Sequence, residues 1–161
     1  LELSRQHIVK NALFSRTLTR EVGELLLKME GYMNSRKPIP FIKDLTPNHI
    51  LIGEDNTLSG IIGVQDIWYG DSYQLIGQSR MALMVADENL SYIEDLLFER
   101  NAYPKERKAT ILYTLISCVE YMSRLGTTFT QGRLVEAHPE EMKTLSRHYH
   151  SLLSMLDIML T

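Results

Sequence analysis

Five prolines in 161 residues set most of the punctuation of this chain. A proline locks its own φ, lacks an N–H and drives the preceding residue toward extended backbone, so helices stop before it or start on it. Pro38 and Pro40 close a segment, residues 17–34, in which Leu18, Val22, Leu25, Leu26, Met29 and Met33 recur on one face at helical spacing. Pro104 stands at the first turn of a second segment, where Leu112, Leu115, Ile116, Val119 and Met122 form a stripe that ends near Gly126. Pro139 opens a third, carrying Met142, Leu145, Tyr149, Leu152, Leu156 and Leu160. Residues 73–86 read as a further helix, and residues 88–99 as another with Leu90, Ile93, Leu96 and Leu97 inward.

The helical period fails in one stretch. His49-Ile50-Leu51-Ile52 reads as a strand, Gly53-Glu54-Asp55-Asn56-Thr57 as a turn, and Leu58-Ser59-Gly60-Ile61-Ile62 as the returning strand. This is the one convincing hairpin. No repeat and no Ser/Gly/Pro-rich linker divides the chain. The expected fold is therefore mainly α with a small β-hairpin, an α+β arrangement. It is expected as a single domain over residues 1–161, with the hairpin region at 41–71 and a helical bundle at 72–161.

Composition narrows the classes of function. With 44% hydrophobic residues, 9 Gly and a mean hydropathy of −0.14, the chain has an ordinary globular make-up and is neither low-complexity nor disordered. No run approaches the roughly 20 apolar residues of a membrane span. Leu1-Glu2-Leu3-Ser4 lacks the apolar stretch of a signal peptide, and a start at Leu rather than Met is expected of a processed chain or a fragment. The lone Cys118 cannot form an internal disulfide, so a cytoplasmic setting is expected. The formal net charge is −3, but it is unevenly spread: residues 1–50 carry +3, residues 51–100 carry −7 and residues 101–161 carry +1. An acidic middle disfavours nucleic acid as a partner and suits a metal ion or a cationic ligand.

Few residues have the spacing of known chemistry. There is no C-x-x-C, H-E-x-x-H, G-x-S-x-G or phosphate-binding G-x-x-x-x-G-K-[ST] pattern. Cys118, within an apolar helical run, reads as a buried structural thiol. His148 and His150 are expected at the surface or at a helix end, and the eight methionines as core filling. One segment differs: Asp44 lies five residues ahead of His49, which opens the hairpin, and the returning strand leads through Gly63 and Asp66 to Trp68, Gly70 and Asp71. Polar groups at the mouth of a hairpin are placed to converge.

That segment resembles the catalytic core of the aminoglycoside phosphotransferase and choline kinase-like superfamily, small-molecule kinases with the protein-kinase fold. The family's catalytic loop reads roughly H-G-D-L-x-P-x-N-I-L-[IV], followed by a turn and G-[IV]-I-D-[FW]-x-[DE]-[AS]-x-x-G-[DP]. The match runs through Asp44, Leu45, Pro47, Ile50, Leu51, the turn Glu54-Asp55-Asn56, Leu58 to Ile62, Asp66, Trp68, Gly70 and Asp71. The resemblance implies a kinase-like C-terminal lobe, with ATP and Mg²⁺ as cofactors and a small acceptor hydroxyl as substrate. It implies Asp44 as the catalytic aspartate, Lys43 and Asn48 beside the nucleotide, and His49 and Asp66 as metal ligands, His49 standing where the family has asparagine. The central acidity suits a cationic acceptor.

Three departures run against activity. Gly63 occupies the position of the family's Mg²⁺-chelating aspartate, Ile42 replaces the histidine two residues ahead of the catalytic aspartate, and Lys43 replaces a small residue. The family's N-terminal, nucleotide-gripping lobe has no counterpart in the 43 residues ahead of Asp44, which read as helix and loop without a Gly-rich turn. The resemblance therefore leaves two expectations: an impaired phosphotransferase, or a pseudokinase-like module acting through a protein partner or self-association.

Overall fold

The computed structural model describes residues 1–42, 49–63, 67–127 and 136–160. About two thirds of these residues are helical, and the strands form two small antiparallel ribbons, so the chain is mainly helical α+β. Seven helices are described: α1 (Glu2–Asn11), α2 (Thr17–Lys28), α3 (Glu30–Ser35), α4 (Ser72–Val85), α5 (Ser91–Glu99), α6 (Pro104–Arg124) and α7 (Pro139–Leu160). Four strands, β1 (Ile39–Ile42), β2 (Ile50–Ile52), β3 (Leu58–Ile61) and β4 (Ile67–Gly70), lie between α3 and α4. The chain packs as two compact units, residues 1–35 with 73–161, and residues 36–72.

The helical unit is built around α6. Pro104 starts the helix, because its fixed φ suits the first turn and its missing N–H would have had no partner there. Glu106 in the first turn and Arg124 in the last complement the helix dipole. The side chains of Ala109, Leu112, Leu115, Cys118, Val119 and Met122 are fully or almost fully buried. Thr110, Thr114, Ser117 and Ser123 are buried too, so α6 is enclosed on more than the one face its apolar stripe predicts. Most of these hydroxyls are satisfied by the helix itself: Thr110 Oγ1 donates to the Glu106 carbonyl, Thr114 Oγ1 to that of Thr110 and Ser123 Oγ to that of Glu120. The Cys118 thiol faces the Leu145 carbonyl at 3.6 Å, and burial pushes its pKa up to about 12. It is the inert structural thiol expected.

Against α6 lies α7, whose Leu145, Tyr149, Leu152 and Leu156 recur at spacings of four, three and four and are buried. Ile8 of α1 and Leu18, Val22 and Leu25 of α2 complete the same core. Each such side chain contributes about 1.5–3 kcal/mol through burial. Tyr149 reaches α2: its hydroxyl lies 2.6 Å from Glu21 Oε2 and 3.1 Å from the Leu18 carbonyl. Along α6, Gly77 of α4 lets two backbones approach closely. A Cβ there would lie 2.6 Å from Tyr113 Cβ and 2.9 Å from both the Thr110 carbonyl oxygen and the Thr114 nitrogen.

The single helix expected over residues 17–34 is two. Met29 departs from helical geometry (φ −102°, ψ 9°), its N–H shared between the Leu25 and Leu26 carbonyls at 3.1 Å each, before α3 begins. The apolar face survives the break, with Met29 still buried. Helix α1 is an addition to the sequence reading.

In the unit of residues 36–72, β2 and β3 form the hairpin expected, with a register shift at Leu51/Ile52. Its turn is held by Asp55, whose Oδ1 accepts from the Thr57 N–H (3.1 Å) and hydroxyl (2.7 Å), and by the Gly53 N–H donating to the Thr57 carbonyl. Asn56 takes the left-handed conformation (φ +61°), which asparagine tolerates well. A second ribbon was not expected. β1 pairs with β4 antiparallel, from Ile39 opposite Gly70 to Ile42 opposite Ile67. Pro40 within β1 is compatible with a two-stranded ribbon, where every strand is an edge.

Candidate functional site

Four of the five residues singled out from the sequence, Lys43, Asp44, Asn48 and Asp66, lie outside the described residues, which stop at Ile42 and Gly63 and resume at His49 and Ile67. What is described is the frame that holds the two short connections. Ile42, where the first begins, pairs with Ile67, where the second ends. The first ends at His49, whose carbonyl accepts from the Ile62 N–H at 2.9 Å, and the second begins just past Gly63. Both connections therefore link one end of the β1–β4 ribbon to one end of the β2–β3 hairpin, and each has both its anchors beside those of the other.

His49 is half-buried immediately ahead of β2, and Gly63 lies across the hairpin mouth from it. A Cβ built on Gly63 would lie 3.1 Å from His49 Cδ2 and 3.5 Å from Nε2. The imidazole thus covers the face of Gly63 from which a side chain would project. Gly63 has φ +68°, a left-handed conformation that glycine adopts at no steric cost.

These two positions do not fit Mg²⁺. The ion demands hard oxygen ligands in near-octahedral array, whereas Gly63 supplies no side-chain atom and His49 supplies only imidazole nitrogen. Among the described residues, no group of three His, Cys, Asp or Glu side chains is placed to hold a metal ion. No described residue is one that the resemblance assigns to ATP.

At the far end of the β1–β4 ribbon, Asp71 is buried, with 4% of its side chain exposed, and Arg36 Nε approaches its Oδ1 at 3.7 Å. The pair ties the chain entering β1 to the chain leaving β4. Elsewhere on the ribbons, apolar side chains face outward: Ile52, Leu58, Ile67 and Trp68 are about half exposed or more, and Tyr69 is 71% exposed.

Three polar clusters in the helical unit escaped the sequence reading, because each joins side chains from different elements. Glu94 of α5 bridges Arg80 of α4 (3.2 Å) and Arg107 of α6 (3.0 Å), with Arg80 buried. Tyr149 and Glu21 form the second, and burial together with the Glu21 carboxylate raises the phenol's pKa. The third corrects an expectation. His150 is exposed, but His148 is neither a surface residue nor at a helix end: it sits mid-α7, half-buried, with Nε2 buried and without a partner. Burial, helped by Arg147, lowers its pKa below the ordinary value, against smaller opposing effects of the Met84 backbone at the end of α4 and of Asp87. Nothing in residues 145–150 alone indicates that α4 ends against this ring.

No described helix is long and apolar enough to cross a membrane. No family model, curated protein or solved structure matches the chain.

Proposed function

We propose that this chain is a kinase-like lobe related to the small-molecule phosphotransferases, with its phosphoryl-transfer chemistry impaired. The observation that carries the reading is the shared anchoring of the two connections. In the family pattern they bear the catalytic aspartate and the metal-binding residues, and here they leave and enter paired positions, Ile42 with Ile67 and His49 with Ile62. The hairpin that follows Asp44 in the chain, β2, turn and β3, is the part of this order that the motif resemblance covers.

In this reading Asp44 orients the acceptor hydroxyl and takes its proton, the task that positioning alone makes effective in phosphoryl transfer. The resemblance assigns Lys43 and Asn48 to the nucleotide, His49 to the family's metal-ligand position and Asp66 to a family acidic position. The acceptor is a small hydroxyl compound, cationic to suit the −7 charge of residues 51–100. Impairment follows from Gly63, which offers no ligand. Thermal denaturation with millimolar MgATP tests nucleotide binding: a ligand present at 100 times its Kd adds about 2.7 kcal/mol. A stabilisation that Asp44→Asn leaves in place while abolishing any turnover supports the reading, and no stabilisation removes it.

A second reading, a non-catalytic module that binds a protein partner or a second copy, is favoured by the outward-facing Ile52, Leu58, Trp68 and Tyr69 on the ribbons. Light scattering that shows a monomer at all concentrations, together with measurable ATP turnover, counts against it.

A further inference from the structure

The contact between His49 and Gly63 bears on how the hairpin mouth is held. Residue 62 is tied to residue 49 by the Ile62 N–H to His49 carbonyl bond, so backbone position 63 is carried to the side of the His49 ring. At φ +68° the face of Gly63 where a Cβ would stand is turned toward that ring, and 3.1 Å is closer than side-chain carbons ordinarily approach. A side chain at 63 therefore requires the His49 ring to give by a few tenths of an ångström, and more for a longer side chain. A histidine at 49 is compatible with a glycine at 63, and a branched or acidic residue at 63 calls for a smaller or displaced side chain at 49.

We infer that His49 and Gly63 are a matched pair, in which the imidazole occupies the space that a ligand-bearing side chain at 63 would need, so that the hairpin mouth is held by ring-on-backbone packing without a divalent cation. This deepens the kinase-like reading and rests on it only for the expectation that a cation once belonged there. The pair replaces a bridge between two ligand side chains by a contact between a ring and a bare backbone. His49 is then a positioning residue for the backbone at Ile62 and Gly63.

A double-mutant cycle read by amide hydrogen exchange at Ile62 tests the pair, because that amide reports the local bond to the His49 carbonyl rather than global unfolding. Gly63→Ala should speed exchange at Ile62 by roughly tenfold in the presence of His49, and clearly less in the His49→Ala background, where only the left-handed φ remains to strain the alanine. Equal effects in the two backgrounds overturn the pair. Helical circular dichroism of each variant verifies that the rest of the chain is folded.

Mg²⁺ and Mn²⁺ alone, at millimolar concentration against EDTA, should leave exchange at Ile62 unchanged in the natural sequence. Protection by either ion that disappears in His49→Ala overturns the inference. The double variant His49→Asn with Gly63→Asp tests the underlying reading separately. Mg²⁺-dependent protection in it supports kinase descent, and its absence removes that descent while the exchange cycle still decides the pair.

Discussion

Leu112 and Ile52 are both aliphatic residues in regular secondary structure, yet Leu112 is fully buried in α6 and Ile52 is 57% exposed on β2. The contrast holds for the units they belong to. Helix α6 is surrounded by α1, α2, α4 and α7, so its side chains leave water on nearly every side. Each ribbon has only two strands, and a two-stranded ribbon has no second layer of its own to cover its faces. Its shape comes instead from backbone pairing and turn chemistry: the Asp55 turn, the register from Ile39 to Gly70, and the contact of His49 with Gly63. The helical unit is an apolar core with a few polar ties, and the ribbon unit is a set of polar and backbone ties with most of its apolar side chains, Phe41 apart, exposed.

The sharpest way to break this comparison is to remove equal bulk from each side. Leu112→Ala opens a cavity in a dry core and should cost about 3–4 kcal/mol in chemical denaturation followed by circular dichroism, whereas Ile52→Ala should cost under about 1 kcal/mol. Comparable losses would show that the ribbon is as tightly packed as the bundle. Gly77→Ala adds bulk where α4 meets the α6 backbone, which cannot move aside as a flexible side chain would. A loss of about 2–3 kcal/mol is expected in the same measurement.

Tyr149→Phe removes the donor to Glu21 without changing the ring, and should cost about 1–2 kcal/mol. A smaller pH effect sharpens the same point. Packing in the helical unit lowers the pKa of His148 below its unfolded value near 6.5, burial being the main cause. The unfolded chain therefore binds more protons in this range: the contribution is complete above about pH 6.5 and is lost as pH falls from there through the lowered folded value. Stability measured against pH should fall on the acid side of that window, and His148→Gln should flatten the slope. The smallest effect belongs to the ribbon surface: Ile52→Ser with Leu58→Ser should change stability by no more than about 0.5 kcal/mol per site. Any concentration-dependent association seen by light scattering should weaken in that variant.

How much was legible in the sequence followed the range of the interaction. Pro104 and Pro139 mark the starts of α6 and α7, and the Gly53 to Thr57 turn marks the β2–β3 hairpin, because a proline ring or an Asx turn acts on its immediate neighbours. The β1–β4 ribbon escaped notice because Ile39 finds its partner at Gly70, with no tight turn between them and a proline inside one strand. The break at Met29 was also hidden, since the apolar period runs through it unchanged. For the candidate site, His49 and Gly63 were each visible as departures from a family pattern. That one ring lies on the other's backbone was not visible, because it depends on which face the hairpin mouth presents.

By itself, the sequence determined where helices begin, where the chain turns back in a hairpin, which side chains could fill a core and that acidic charge gathers in the middle third. These are local properties of residues and their near neighbours. Only the tertiary structure decided that α6 is enclosed on nearly all sides, that His148 is half-buried near the end of α4, that most apolar side chains of the ribbons are exposed and that the His49 ring lies beside Gly63. Those outcomes depend on which elements meet, and contacts between residues far apart in the chain leave no periodic trace within either partner.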